Sequence, residues 1–304
     1  MAVIDKRSEL IFLYDIKDAN PNGDPLDANK PRIDEETGIN LVTDVRLKRT
    51  IRDYLFDYKG FNGENNKDIF VREIKNDDKT IQDGKARAKD FKEDPKKVIE
   101  QCIDVRLFGG VIPLTGDSIT YTGPVQFQMG RSFHKVELNY IKGTGAFASG
   151  SGKSKKTFRE EYVVPYSLIG FYGIINENAA QSTQLTKADL ELLVEAIWKG
   201  TKNLITRSKV GQTPRLLLKV NYSEENYFIG ELKNYLKLAT ELREEEIRDV
   251  SDYKLDITDL LAVIKANSDK IANIEYKINP RVELISSDQK VDLAELDLFK
   301  EMKI

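Results

Sequence analysis

One cysteine, Cys102, and one histidine, His134, are all that 304 residues supply of either type. An internal disulfide needs a second thiol, a Cys/His zinc site needs several such ligands, and proton passage between imidazoles needs two of them, so all three are excluded. No apolar run approaches the roughly 20 residues of a membrane-spanning helix, and the opening "MAVIDKRSEL" lacks the apolar centre of a secretory signal. The chain therefore reads as cytoplasmic, with no membrane partner. Cys102 lies among apolar neighbours in "KKVIEQCIDV" and is expected in the core. His134 follows "MGRSF" and is expected as a surface or hydrogen-bonded residue rather than a catalyst.

An excess of positive charge is missing as well: the formal net charge is -3 and the pI is near 5.6. The distribution matters more to a polyanion than the sum does. Between Arg131 and Arg159 the bases Arg131, Lys135, Lys142, Lys153, Lys155, Lys156 and Arg159 meet one acid, Glu137. From Ile197 to Lys219 there is no acid at all, beside Lys199, Lys202, Arg207, Lys209, Arg215 and Lys219. Acids gather beyond Ser223. A cationic working surface with an acidic remainder is the reading.

What is present gives a coarse map. "ELIFLYDI" (9–16) is a buried strand, followed by a long Asp/Asn/Pro/Gly loop to about Leu41. Thr43 caps a helix whose apolar residues Leu47, Ile51, Tyr54, Leu55 and Tyr58 repeat at helical spacing, which turns Lys48, Arg49 and Arg52 to the other side as a cationic ridge. Residues 60–93 are polar and aperiodic and read as an insertion or partly mobile segment. A short helix opens at Asp94-Pro95 and closes at "FGG". "TGPVQFQMGRSF" (122–133) and "EYVVPYSLIGFYGII" (161–175) are paired strands, with Pro165 marking an edge or bulge. The Gly/Ser/Lys-rich stretch between them, with Phe147 and Phe158, cannot pack a core and projects. Thr186 to Leu204 is a helix with a Thr186/Asp189 capping box, and "PRLLLKVNY" (214–222) a strand. The order strand, helix, strand, strand, helix, strand is the α+β, ferredoxin-like pattern that RNA-recognition domains use. Helices are expected near residues 258–266 and 292–302, with a strand at "IANIEYKI".

"DANPNGD" (18–24) matches the first half of a calcium loop through Asp18, Asn20, Asn22 and Gly23, but the final position is Asn29 where a bidentate Glu is required. No metal and no cofactor is expected; the local chemistry is an Asx-rich turn with Gly23 at positive φ. Asp24, Asp27 or Asp34 as the metal holder of a ribonuclease lacks a second acid/base group at readable spacing. The ridge, the glycine- and lysine-rich arm and the acid-free "KGTKNLITRSKVGQTPR", whose two glycines would let backbone approach phosphates, agree on single-stranded nucleic acid.

The stretches "YDIKDANPNGDP", "RIDEETGINLVTDVRLKRTIRDYL", "DVRLFGG", "TGPVQF" and "NLITRSKVGQTPRLLLKV" resemble the Cas-seven backbone family of CRISPR effectors, with the type I-B Cascade branch the nearest match. The resemblance runs from about Leu10 to Tyr222. It implies a right-hand shape within one domain: an RNA-recognition-like palm (9–59, 97–137 and 161–304), a finger insertion (60–96) and a thumb hairpin (138–160). It implies a non-catalytic subunit that binds CRISPR RNA without regard to sequence, stacks with neighbouring copies of itself and presents the guide to a target DNA strand in antiviral defence. Further implied partners are a five-prime-handle cap subunit, a guide-processing subunit, large and small subunits, and a recruited helicase-nuclease. Carried onto this chain, the RNA contacts are Asn20, Asn22, Gly23, Lys48, Arg49, Arg52, Phe108, Gly109, Gln126, Arg131, Phe147, Lys153, Lys155, Phe158, Arg207, Lys209 and Arg215. The alternative is a metal-dependent endoribonuclease of the type III kind using Asp27 or a nearby loop aspartate.

Overall fold

Residues Ser8 to Ile16 are buried without interruption, the signature of a strand covered on both faces. The computed structural model describes the backbone of residues 2–148 and 156–304, and places this strand inside a ten-stranded sheet. In chain order the strands are β1 (Ser8–Ala19), β2 (Ile33–Asp34), β3 (Ile39–Val42), β4 (Val125–Phe127), β5 (Gly130–Lys135), β6 (Asn139–Ala148), β7 (Lys156–Ile175), β8 (Thr213–Tyr222), β9 (Ile271–Ile278) and β10 (Phe299–Glu301). They lie in the order β10-β9-β8-β1-β7-β5-β3-β2, with β4 and β6 also paired to β7. All pairings are antiparallel except β9 with β10.

Alternation along β1 divides two cores. Leu10, Phe12, Tyr14 and Ile16 face a helical layer made of α1 (Asp44–Lys59) and α2 (Lys187–Glu195). Ile11 and Leu13 face the C-terminal segment, whose Leu232, Leu255, Leu260 and Ile264 close the second face. There Thr258–Ala266 is the expected helix, here α3. Residues 292–302 are not helical: a single turn, Leu293–Glu295, is followed by edge strand β10, because pairing with β9 supplies the backbone partners a helix would have made.

Both ends of α1 are built by named residues. The Thr43 side chain accepts from the Arg46 backbone N–H, and Gly60 takes the left-handed conformation that ends the helix, at φ 72°. The Thr186/Asp189 capping box starts α2 as expected. Pro165 stands between the pairs Lys17–Tyr166 and Ala19–Val164, opposite Asp18 at φ 47°, so its missing N–H falls at a local irregularity.

Residues 60–93 are not a loose insertion. Phe70, Ala88 and Phe91 pack with Val98, Cys102, Val105 and Ile112 in a third core, and Arg87 is buried over Phe70 and Phe91 while paired to Asp68 at 2.5 Å. Cys102 is fully buried there, and burial pushes its thiol up. His134 is also buried. Its Nδ1 lies 2.9 Å from the Lys135 carbonyl and its Nε2 accepts from the Leu168 N–H, so it holds β5 to β7, and burial holds its pKa below the usual value.

Candidate nucleic-acid interface

The loop after β1 is organised as small hairpins rather than left irregular. Asn22 Oδ1 accepts from both the N–H and the hydroxyl of Thr43, at 2.9 Å each, which ties the loop to the cap of α1. Gly23 is required by crowding, not by positive φ: a Cβ there would lie 2.1 Å from Asn29 Oδ1, and the positive φ values fall instead on Ala28 and Asn29. The loop carboxylates have local cationic partners: Asp24 with Arg32 at 2.9 Å, Asp27 with Lys30 at 2.8 Å, and Asp34 with Arg131 at 3.5 Å. Among the described residues, no group of three or more His, Cys, Asp or Glu is placed to hold a metal ion. Asp27, held by Lys30, gives the nuclease alternative no support.

The helix α1 presents its cations unequally. Lys48 bonds Asp44 at 3.0 Å and Gln126 at 3.1 Å, and Arg52 bonds the fully buried Asp104 at 2.9 Å. Both cations lie over the Phe108 ring, at 5.6 and 5.2 Å. The predicted residues Lys48, Arg52, Phe108 and Gln126 therefore do come together, as a neutralised wall. Gly109 beside them has φ 69° and passes so close to Tyr121 that a Cβ would lie 2.2 Å from its carbonyl oxygen. Asp104 also accepts from the N–H groups of Phe70 and Val71, pinning residues 70–71 beside α1.

On the next strip of α1 the charge is not neutralised. Arg49 is exposed and shares Asp53 with Arg46, at 2.6 and 3.9 Å. Arg46, absent from the sequence-based set, bonds Thr50 through Nη2, and its buried Nε has no partner among the described residues. Lys209 is half-buried, bonds only the Ser208 hydroxyl at 3.3 Å among the described contacts, and lies within electrostatic reach of Arg46. Burial, and then the neighbouring positive charge, holds Lys209 below the usual ammonium range; Arg46 is depressed by burial and by Arg49, with Asp53 opposing. Arg46 and Arg49 thus share one carboxylate, and Lys209 adds a third positive charge within reach of Arg46. Bringing them together costs free energy that an anion between them would recover.

Cavities trace a path past this strip. One of ≈ 690 Å³ is lined by Asn22, Arg46, Arg49 and Arg72. A second of ≈ 440 Å³ shares Arg49 and Arg72 and reaches Thr206. A third of ≈ 480 Å³ runs from Thr206 and Arg207 to Tyr162 at the foot of the β6–β7 hairpin. Asn20 joins the strip through its backbone N–H, which donates to Ser208 at 2.8 Å.

Other predicted positions fall elsewhere. Arg215 is interior: its Nε bonds Asp15 at 2.7 Å and its Nη1 bonds Asn279, so it is unavailable to a ligand. Arg131 pairs across the sheet with Gly170, on the face covered by the C-terminal segment and beside Lys233, away from the α1 strip. Gly200 does not open backbone to phosphate; it is buried against Tyr54, whose Cβ would lie 2.9 Å from an added Cβ. Gly211 serves a left-handed turn at φ 90°. Arg207 is exposed and pairs with Glu161 at 2.6 Å. Lys153 and Lys155 lie outside the described residues, as do the side chains of Phe147 and Phe158.

The sequence profile of the family described as CRISPR-associated protein Cas7 matches residues 6–258. CRISPR-associated protein Cas7 of Haloferax volcanii is 36% identical over 315 aligned positions, spanning 94% of this chain and 90% of its own. Among solved structures, a chain of a "CRISPR RNA-guided surveillance complex, pre-nicking" superposes with a TM-score of 0.55 at 11% identity, covering 92% of this chain and 96% of that one. A chain of a "CRISPR RNA-guided surveillance complex" does so at 0.52 and 13%, covering 98% and 95%. At such identities the likeness is one of fold.

Proposed function

Since the chain belongs to the CRISPR-associated Cas7 family, we propose that it is a non-catalytic backbone subunit of a Cascade-like surveillance complex, laying single-stranded guide RNA along the α1 strip without reading its letters. The observation that carries this is the sharing of a single carboxylate, Asp53, by Arg46 and Arg49, with Lys209 within electrostatic reach of Arg46, beside two cavities that both include Arg49 in their walls. Cations met by phosphate give affinity and no sequence information, while base pairing with a target supplies specificity.

The strand order β8-β1-β7-β5, with α1 and α2 on one face, supports an RNA-recognition-like palm. Its open sheet face is closed by the C-terminal segment, which directs the RNA to the α1 edge. In the same reading residues 60–96 are the finger, and 138–160 the thumb that reaches over the guide held by an adjoining copy. The antiparallel register Asn139–Val163 to Gly143–Arg159 gives that arm a rigid stem. Target DNA, neighbouring copies, the other complex subunits and a recruited helicase-nuclease are the partners this role requires.

Fluorescence anisotropy with single-stranded RNAs of equal length and unrelated sequence tests the reading. Affinities should agree within about threefold and fall with salt at a slope of roughly -0.7 for each phosphate neutralised. A spread of orders of magnitude that tracks sequence would show direct base reading instead.

A further inference from the structure

Arg72, absent from the sequence-based set, stands with Arg49 in the walls of both the ≈ 690 Å³ and the ≈ 440 Å³ cavities. Its Nε donates to Asp68 at 2.9 Å, and its guanidinium lies 5.4 Å from the centre of the Phe56 ring on α1. The other Asp68 oxygen is taken by Arg87 at 2.5 Å. Bonded at Nε and backed by an aromatic ring, the guanidinium keeps one orientation. Its two terminal nitrogens make no hydrogen bond among the described residues, and they are accessible, the side chain being 24% exposed. Arg49 is arranged alike, with Nε on Asp53 at 2.6 Å and its terminal nitrogens open. The backbone that carries Arg72 is fixed against α1, because Asp104 accepts from the N–H groups of Phe70 and Val71 while it bonds Arg52. One arginine on α1 and one on the packed segment 60–93 therefore turn open forks to the same space, across a width set by Asp104.

A guanidinium fork held in this way matches an oxyanion through two parallel N–H groups. Carboxylates of the same walls do not fill it: Asp53 and Asp68 are engaged through Nε, and Glu73 pairs with Lys75 at 3.7 Å. A phosphodiester fits better than a free phosphate ion, since the two cavities share these arginines and run from Arg46 to Thr206, the course of a strand rather than of a single ion. We propose that Arg72 donates through its terminal nitrogens to a phosphate of the bound strand, across from Arg49, so that segment 60–93 is the second jaw of a backbone clamp whose first jaw is α1; the proposal rests on the function given above. Such a contact positions the strand and carries no base information.

The test uses the full chain and a single-stranded RNA short enough to hold one copy, in its natural form and with one neutral methylphosphonate linkage at successive positions. Arg72→Ala should bind the natural RNA about tenfold more weakly, the loss of one charge-assisted contact, and flatten the salt slope by roughly 0.7. Arg72→Gln separates contact from scaffold, because its amide still donates to Asp68 but carries no charge. It should fold as wild type does and bind RNA as weakly as the alanine variant. At one linkage the neutral substitution should cost wild type about tenfold more than it costs Arg72→Gln, while at every other linkage the two proteins lose alike. Wild-type affinity in Arg72→Gln, or equal losses at every linkage, overturns the proposal and leaves Arg72 as a brace between Asp68 and Phe56. Failure of the parent reading looks different: affinity for the natural RNA would then survive loss of Arg46 and Lys209.

Discussion

Arg46→Ala combined with Lys209→Ala is expected to weaken single-stranded RNA binding on the order of 100-fold, because two charge-assisted contacts of at least ~1.5 kcal/mol each are removed. The salt slope should flatten by roughly 1.4, the share of two phosphates on a single strand. Lys48→Ala should do far less, since its ammonium already serves Asp44 and Gln126. Folding stability separates binding from collapse. Lys209 is half-buried beside Arg46 and makes no ion pair among the described residues, so Lys209→Ala should leave the denaturation midpoint unchanged or raise it. A double variant that binds RNA like wild type would remove these residues from the interface.

Arg215→Ala should act in the opposite way, costing about 3–5 kcal/mol of stability, because it leaves the Asp15 carboxylate buried without its cation. Burial pushes the Asp15 carboxyl up, with Arg215 and the Tyr166 hydroxyl pulling it back down, and in a buried ion pair the desolvation of both charges offsets much of their attraction. Asp15→Leu with Arg215→Met should therefore lose much less than the single change. Urea denaturation of both variants measures this, and the RNA affinity of the folded double variant should match wild type. A double variant as unstable as the single, or one with weakened RNA binding, would contradict the structural role given to Arg215.

These contrasts show what pattern alone could deliver. Strand β1 and helix α1 were legible because their apolar spacing is local, and so were Thr43 and the Thr186/Asp189 box. The neutralised state of the ridge was not: Asp104, which holds Arg52, is 52 residues away in sequence, and Asp15, which buries Arg215, is 200 away. Arg46 was missed because the ridge was sorted by its angle from the apolar stripe, whereas the presence or absence of a partner decides which cation is available. Residues 60–93 looked loose because Phe70, Ala88 and Phe91 follow no period; their core is completed by Val98 and Cys102 further along the chain. Leu293, Leu296, Phe299 and Met302 have helical spacing, yet strand pairing with β9 overrides it.

The central claim is that guide phosphates lie against Arg46, Arg49 and Lys209 whatever the sequence of the guide. A cryo-electron microscopy map of the chain assembled on two guides of unrelated sequence tests it most directly. Phosphate density within about 4 Å of these three side chains, at the same places on both guides, is the predicted result. Density that leaves the three side chains facing solvent, or that approaches them on one guide and not the other, would contradict it.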